Sequence, residues 1–221
     1  MIKFDKVSKN FGQTTALNQA DFTIKKGEFV FLVGPSGAGK TTILRLLLKE
    51  IVPDSGKITF LDQDLSQLPA KEIPQLRRKI GSVFQDYKLL TERTVFENTA
   101  LPLEINGLER DKIKSEAAKV LALVGLKNRM NFFPAQLSGG ELQRVVIARA
   151  IVAGPELVFA DEPTGNLDAG ISWQIVKLLK KINDQGTTVI MATHDREIVA
   201  GFPQRVIELK KGKVTDSLSE K

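Results

Sequence analysis

Phe29-Val30-Phe31-Leu32-Val33 runs without a break into Gly34-Pro35-Ser36-Gly37-Ala38-Gly39-Lys40-Thr41, and a Leu-rich stretch follows from Thr41 to Glu50. A continuous apolar run of this length is expected of a strand buried on both faces, and such strands belong to parallel sheets covered by helices. The stretch after it reads as a helix. Strand, Gly-rich loop and helix in this order place the chain among α/β folds. The loop's physics is anion capture: glycines let backbone N–H groups converge on one point, and the helix start adds positive potential there. Gly34, Pro35, Ser36, Gly37, Ala38 and Gly39 then form a phosphate cradle, with Thr42 just inside the helix. Lys40 reaches the β- and γ-oxygens of a nucleoside triphosphate, and Thr41 offers a hydroxyl to Mg²⁺.

Two further buried strands are expected at Leu157 to Ala160 and at Thr187 to Ala192. Between them Ile171, Ile175, Leu178, Leu179 and Ile182 form one apolar helical face, and Trp173 sits off that stripe. Three β-rich pieces, Ile2 to Val7, Phe22 to Ile24 and Lys57 to Phe60, are short enough to suggest a small antiparallel sheet at the margin of the core. From 86 to 153 the period becomes helical (Ile113, Ala117, Val120, Leu121, Val124), with Pro102, Gly107, Gly125 and Pro134 as punctuation. That segment is expected to be a helical subdomain inserted into a core made of 1–85 and 154–221, the whole forming one domain. Val206 to Thr215, with Lys210-Lys211-Gly212 at its centre, reads as a closing hairpin.

The strand ending at Ala160 is followed by Asp161-Glu162. Beside a phosphate loop, Asp161 would face Mg²⁺ and Glu162 would orient or deprotonate an attacking water. The pair also suits a helix cap. Leu137-Ser138-Gly139-Gly140-Glu141 lies upstream, with Ser138 and Glu141 spaced as a capping box. That string is a helix start on one reading and an anion site on the other. His194, the chain's single histidine, ends the third buried strand, where a structural role and a catalytic one are both open.

Taken together, the phosphate loop, the acidic pair and the LSGGE string between them resemble the ATP-binding cassette (ABC) family over the whole length of the chain. The resemblance implies a P-loop domain with a mostly parallel RecA-like core sheet, an antiparallel β subdomain and an inserted helical subdomain. It implies an ATP hydrolase with ATP and Mg²⁺ as cofactors, acting as a homodimer closed head to tail. Ser138, Gly139, Gly140 and Glu141 would meet the γ-phosphate held by Lys40 of the other copy. Gln85, 45 residues after Lys40, matches the Q-loop glutamine that touches Mg²⁺. Asp168, in Gly165-Asn166-Leu167-Asp168, matches the D-loop, and His194 matches the switch histidine. Phe11 stands where the family usually has a Tyr against adenine, so the π-face is kept and the hydroxyl lost. With twelve Phe in the chain, a core role for it stays open.

The string from Ala160 to Asp168 and the run from Leu76 to Leu90 resemble the family's cell-division branch most closely. In that branch the partner would be a polytopic, FtsX-like membrane subunit, and the output would be activation of peptidoglycan hydrolases outside the membrane. The cassette would sit on the cytoplasmic face of a bacterial membrane. Lipoprotein-release and macrolide-export systems are the alternative. Leu89, Leu90 and the segment from Arg93 to Asn98 are candidates for lining the partner's groove, or else are subdomain core. The net charge of +6 admits anionic partners, but the basic residues are scattered and not interleaved with aromatics, so no nucleic-acid partner is expected. With no Cys, a disulfide framework, a thiolate metal site and a cysteine nucleophile are all excluded. No charge-free run approaches the roughly 20 apolar residues that a spanning helix requires, so membrane attachment would be peripheral.

Overall fold

The computed structural model describes residues 1–216. Two sheets carry it, with strands and helices numbered along the chain. In the first, β1 (Ile2–Phe11) pairs antiparallel with both β2 (Thr14–Ile24) and β4 (Ser55–Phe60), and β5 (Gln63–Asp64) pairs with β4. The second holds β3 (Phe29–Val33), β6 (Ile80–Val83), β7 (Leu157–Asp161), β8 (Thr188–Thr193), β9 (Arg205–Lys210) and β10 (Lys213–Asp216). Its order is β10-β9-β3-β8-β7-β6, parallel throughout except for the terminal β9/β10 pair. The helices are α1 (Lys40–Leu47), α2 (Ile73–Arg78), α3 (Val95–Ile105), α4 (Arg110–Leu123), α5 (Gly139–Ile151), α6 (Ala169–Asp184) and α7 (Arg196–Gly201). Between residues 86 and 153 the regular elements are all helical.

The central strands are apolar along their interior positions because both faces are covered, with polar residues only at their ends. On β3, Val30 and Leu32 join a cluster with α1 and the antiparallel sheet, while Phe29 and Phe31 join one with α5 and α6. β7 divides in the same way, Leu157 and Phe159 against Val158 and Ala160. Phe159 is fully buried, and its truncation to Ala would cost about 3–5 kcal/mol.

Three sequence expectations shift. The antiparallel strands are not short: β1 and β2 have 10 and 11 residues. Bulges hide their length, because Lys6 and Gln19 each take φ 50 and the register shifts between Phe4 and Val7. The helix expected over 41–50 is Lys40–Leu47, with Leu48 as its C-cap and Lys49 in the left-handed region. The strand expected over 187–192 lies one residue later, at Thr188–Thr193.

β6 carries no strong sequence signal, and its Gly81 answers to α5. A Cβ there would stand 2.3 Å from the carbonyl oxygen of Ala150. On α6, Ile175, Leu178, Leu179 and Ile182 are buried, while Ile171 is half-buried against Gly140 of α5. Trp173, off that stripe, packs its indole on Gly201 of α7, where a Cβ would come within 2.6 Å of the ring. The closing hairpin turns through Lys211 and Gly212, both at positive φ as a two-residue turn requires.

Candidate nucleotide site

The Gly-rich loop leaves β3 and enters α1 at the carboxyl end of the parallel sheet. Two glycines are forced by close approach. A Cβ on Gly34 would stand 2.3 Å from the carbonyl oxygen of Leu209, and one on Gly39 would stand 2.4 Å from that of Ala16. Gly39 is also the N-cap of α1 at φ 108, so it supplies no side-chain cap, and the first turn holds no acidic residue. The helix start therefore leaves unpaired N–H groups and uncompensated positive potential facing the loop.

Lys40, 6% exposed, spends its ammonium on three acceptors. It donates to the carbonyls of Gly34 at 2.7 Å and Pro35 at 3.2 Å, and pairs with Glu162 at 3.1 Å. Glu162 sits at the end of β7 with φ 51, a conformation uncommon for a non-glycine residue, and its N–H donates to Ala192 on β8. Its second carboxylate oxygen lies 2.9 Å from Nδ1 of His194, so Lys40, Glu162 and His194 form one chain of contacts. Thr41 Oγ1 donates to Asp161 at 2.7 Å. Burial pushes the Asp161 carboxyl up from its ordinary value; the Thr41 bond opposes this, Glu162 adds to it, and the Lys40 and Lys88 charges oppose it. Thr41 and Asp161 thus bring two hard oxygen donors together, the type that Mg²⁺ takes.

A cleft of about 680 Å³ gathers most of the expected residues: Phe11, Ser36, Gly37, Gly39, Lys40, Thr41, Thr42, Gln85, Asp161 and Glu162 line it. Phe11 is 42% exposed rather than in the core, with the Lys9 ammonium 5.7 Å and the Arg45 guanidinium 6.0 Å from its ring centre. Gly34, Pro35 and His194 line an adjacent cavity instead, and Ala38 is buried beside Gly34. Asn166 Nδ2 donates to the Gln85 carbonyl at 3.4 Å, which ties the Gln85 loop to the segment after Glu162. Phe84, Lys88 and Asn166 also line the cleft; Asn166 belongs to the D-loop string, while no site role was expected of Phe84 or Lys88.

Ser138, Gly139, Gly140, Glu141 and Asp168 do not line the cleft. They are two further helix starts. Ser138 accepts from the N–H of Glu141, and the Glu141 carboxylate accepts from the N–H of Ser138 at 2.9 Å, a complete capping box on α5. The Ser138 N–H, then Arg129 at 3.0 Å, hold the Glu141 carboxyl below its usual range. Asp168 caps α6 by accepting from the Ile171 N–H at 2.9 Å.

A second groove, of about 470 Å³, opens between the sheet and the helices, lined by Leu48, Pro74, Arg77, Phe84, Leu101, Ile105 and Arg149 among others. Leu89, Leu90 and 93–98, expected there, do not line it. Asn98 is buried and holds the loop before α3, with Nδ2 donating to the carbonyls of Leu90, Arg93 and Thr94 at 3.0 Å each.

Residues 17–165, which hold the phosphate loop, the LSGGE string and the acidic pair, match the ABC transporter family. The chain belongs to that family. As an ABC cassette it binds nucleotide and hydrolyses ATP. It is 51% identical to the cell division ATP-binding protein FtsE of Bacillus subtilis, over 96% of this chain and 93% of that one. Against the FtsE of Escherichia coli the identity is 46%, over 96% of each chain. Among solved structures, a dimeric post-hydrolysis ATP-binding cassette bound to ADP and Pi superposes with a TM-score of 0.87 at 37% identity, covering 98% of both chains. An ABC transporter component from Clostridium perfringens superposes with a TM-score of 0.90 at 31% identity, over 97% of this chain and 86% of that one.

Proposed function

We propose that this cassette is the ATPase subunit of a membrane-associated cell-division complex, in which two copies close head to tail on ATP and drive an FtsX-like membrane subunit. The observation that carries the reading is identity of 46–51% with FtsE proteins sustained across almost the entire chain. The geometry supplies the chemistry. Triphosphate entering the cradle offers Lys40 stronger acceptors than the Gly34 and Pro35 carbonyls, and Lys40 leaves Glu162. Glu162, freed from that pair and steadied by His194, orients and deprotonates a water for in-line attack on the γ-phosphorus. Mg²⁺, held by Thr41, Asp161 and Gln85, would neutralise charge on the β- and γ-oxygens. Phe11 stacks on the adenine.

The cleft lacks the anion-binding start of α5, which supports a site completed in trans. Ser138, Gly139 and Gly140 of one copy would meet the γ-phosphate in the other, with Glu141 fixing the cap and Asp168 coupling the two sites. Closure would move the membrane subunit docked in the groove beside Arg77 and Phe84, and the complex would control a peptidoglycan hydrolase outside the membrane. Among the described residues no helix is long and apolar enough to cross a bilayer, so attachment to the cytoplasmic face would run through the partner. The test is to solubilise membranes gently with ATP present and identify the membrane protein that co-purifies with the tagged chain. An FtsX-like subunit with one extracytoplasmic domain is expected. A lipoprotein-release or macrolide-export permease would overturn the division role and leave the ATP site intact.

A further inference from the structure

We infer that Lys88 is a phosphate-contacting residue of the nucleotide site, selective for triphosphate over diphosphate, and that Arg149 of α5 holds it in place. The inference rests on the nucleotide reading of the cleft proposed above.

Lys40, the cation the motif supplies, sits at the Gly34 and Pro35 carbonyls and Glu162, and a triphosphate that draws it away carries more negative charge than one ammonium offsets. Lys88 lines the same cleft as Gln85, Asp161 and Glu162, and its charge is felt at Asp161. Its own partners are weak: the Asp86 carboxylate at 4.0 Å, and the face of the Phe84 ring, 4.0 Å from the ammonium. An ammonium held over a ring at the phosphate end of a cleft, without a close carboxylate, is free to pair with an incoming anion.

The backbone shows why it stands there. Tyr87 and Lys88 take φ 55 and φ 48, two successive non-glycine residues in the left-handed region. Such strain persists only where surrounding structure enforces it, and it gathers at functional sites. Here Arg149 enforces it: its guanidinium donates to the carbonyl of Lys88 at 2.7 Å and to that of Tyr87 at 3.0 Å. Burial pushes the Arg149 guanidinium below its ordinary value, so these bonds are made in a partly desolvated place, where they are strongest. The double turn folds the chain back over Phe84 and carries the Lys88 side chain to the cleft.

The same segment touches the other end of α5. The Tyr87 hydroxyl lies 3.3 Å from where a Cβ on Gly139 would stand. Lys88 is therefore anchored to the helix that begins at Ser138, through Arg149 near its last turn and through Tyr87 at its first. A shift of α5 would move this cation with it. Arg149 acts through Lys88 and is a positioning residue.

The experiment is calorimetric titration of the full chain with MgATP and with MgADP. Lys88→Met should weaken MgATP binding about 3- to 10-fold, with MgADP changed less than about 2-fold, as expected of one partly exposed charge pair. Lys88→Arg should recover most of the loss. Wild-type affinities in Lys88→Met, an equal loss for both nucleotides, or a Lys88→Arg variant no better than Lys88→Met would each overturn the proposal. Arg149→Gln should reproduce the loss of Lys88→Met and add nothing to it in the double variant; additive losses would remove Arg149 from the account. If Arg149→Gln does not fold, the Lys88 series decides the phosphate contact by itself, and Tyr87→Ala, expected to weaken MgATP in the wild type but not in Lys88→Met, decides the anchoring. Lys40→Ala separates the parent reading: wild-type binding in that variant would overturn the nucleotide site itself, whatever Lys88 does.

Discussion

Two helix starts in this chain look alike in sequence and are built in opposite ways. α1 begins at a glycine that supplies no cap, with no acidic residue in its first turn and with Lys40 pointing back at the loop. α5 begins at Ser138 with a reciprocal capping box and a carboxylate in its first turn. The first leaves its N–H groups and positive potential uncompensated, so it gains most from a bound anion. The second is satisfied from within by its own capping box. The lesson is that one chain can hold a helix start left open to a phosphate and another closed by its own side chains.

Four substitutions bear on that contrast. Glu162→Gln should slow hydrolysis by about 10²–10⁴-fold in a steady-state assay while leaving nucleotide bound, since it removes the base and keeps the shape. A variant that turns over like the wild type would take Glu162 out of its role. Lys40→Ala should lower MgATP affinity by at least about 10²-fold, measured by titration, because α1 has no side-chain substitute for that cation. Retained binding would mean that the α1 start is not the resident phosphate site.

Asp161→Asn should raise thermal stability while abolishing Mg²⁺-dependent turnover. The sign follows from burial, which raises the Asp161 pKa in the fold. Its contribution to stability is greatest below the unfolded value of about 3.9 and is lost as pH rises through the higher folded value. The variant's stability should lack that decline, and an unchanged pH profile would show that Asp161 is not desolvated in solution. Ser138→Ala should cost about 1 kcal/mol in chemical denaturation as a lost cap. It should also reduce turnover without altering nucleotide affinity at concentrations too low for two copies to meet. If affinity fell there too, the α5 start would be acting within its own chain, and the contrast would collapse.

What the residues disclosed follows from where signals are dense. β3, β7 and β8 are legible because strands buried on both faces carry continuous apolar runs, and the loop after β3 is legible because close approach to Leu209 and Ala16 tolerates only glycine there. β1 and β2 read as fragments because left-handed residues at Lys6 and Gln19 break their alternation. β6 is only four residues long, and its Gly81 is dictated by a helix about 70 residues later. In the site, Lys40, Thr41, Asp161 and Glu162 came from local strings. Lys88 did not, because its place depends on a guanidinium 61 residues away that bends the backbone through carbonyls rather than side chains. Asn98 is another long-reach case: its buried amide draws the 90–94 loop onto α3, a tie that no local string around Leu89 and Leu90 announces.

The contact between Trp173 and Gly201 has an optical consequence. The chain has one tryptophan, and its ring rests on the helix that begins two residues after His194. Ultraviolet emission excited at 295 nm, roughly the red edge where tyrosine no longer absorbs, therefore comes from a single indole beside that segment. Any displacement of α7 as His194 changes partner would shift the indole's wavelength or quenching, so the wild-type chain carries its own unlabelled gauge of the histidine arm.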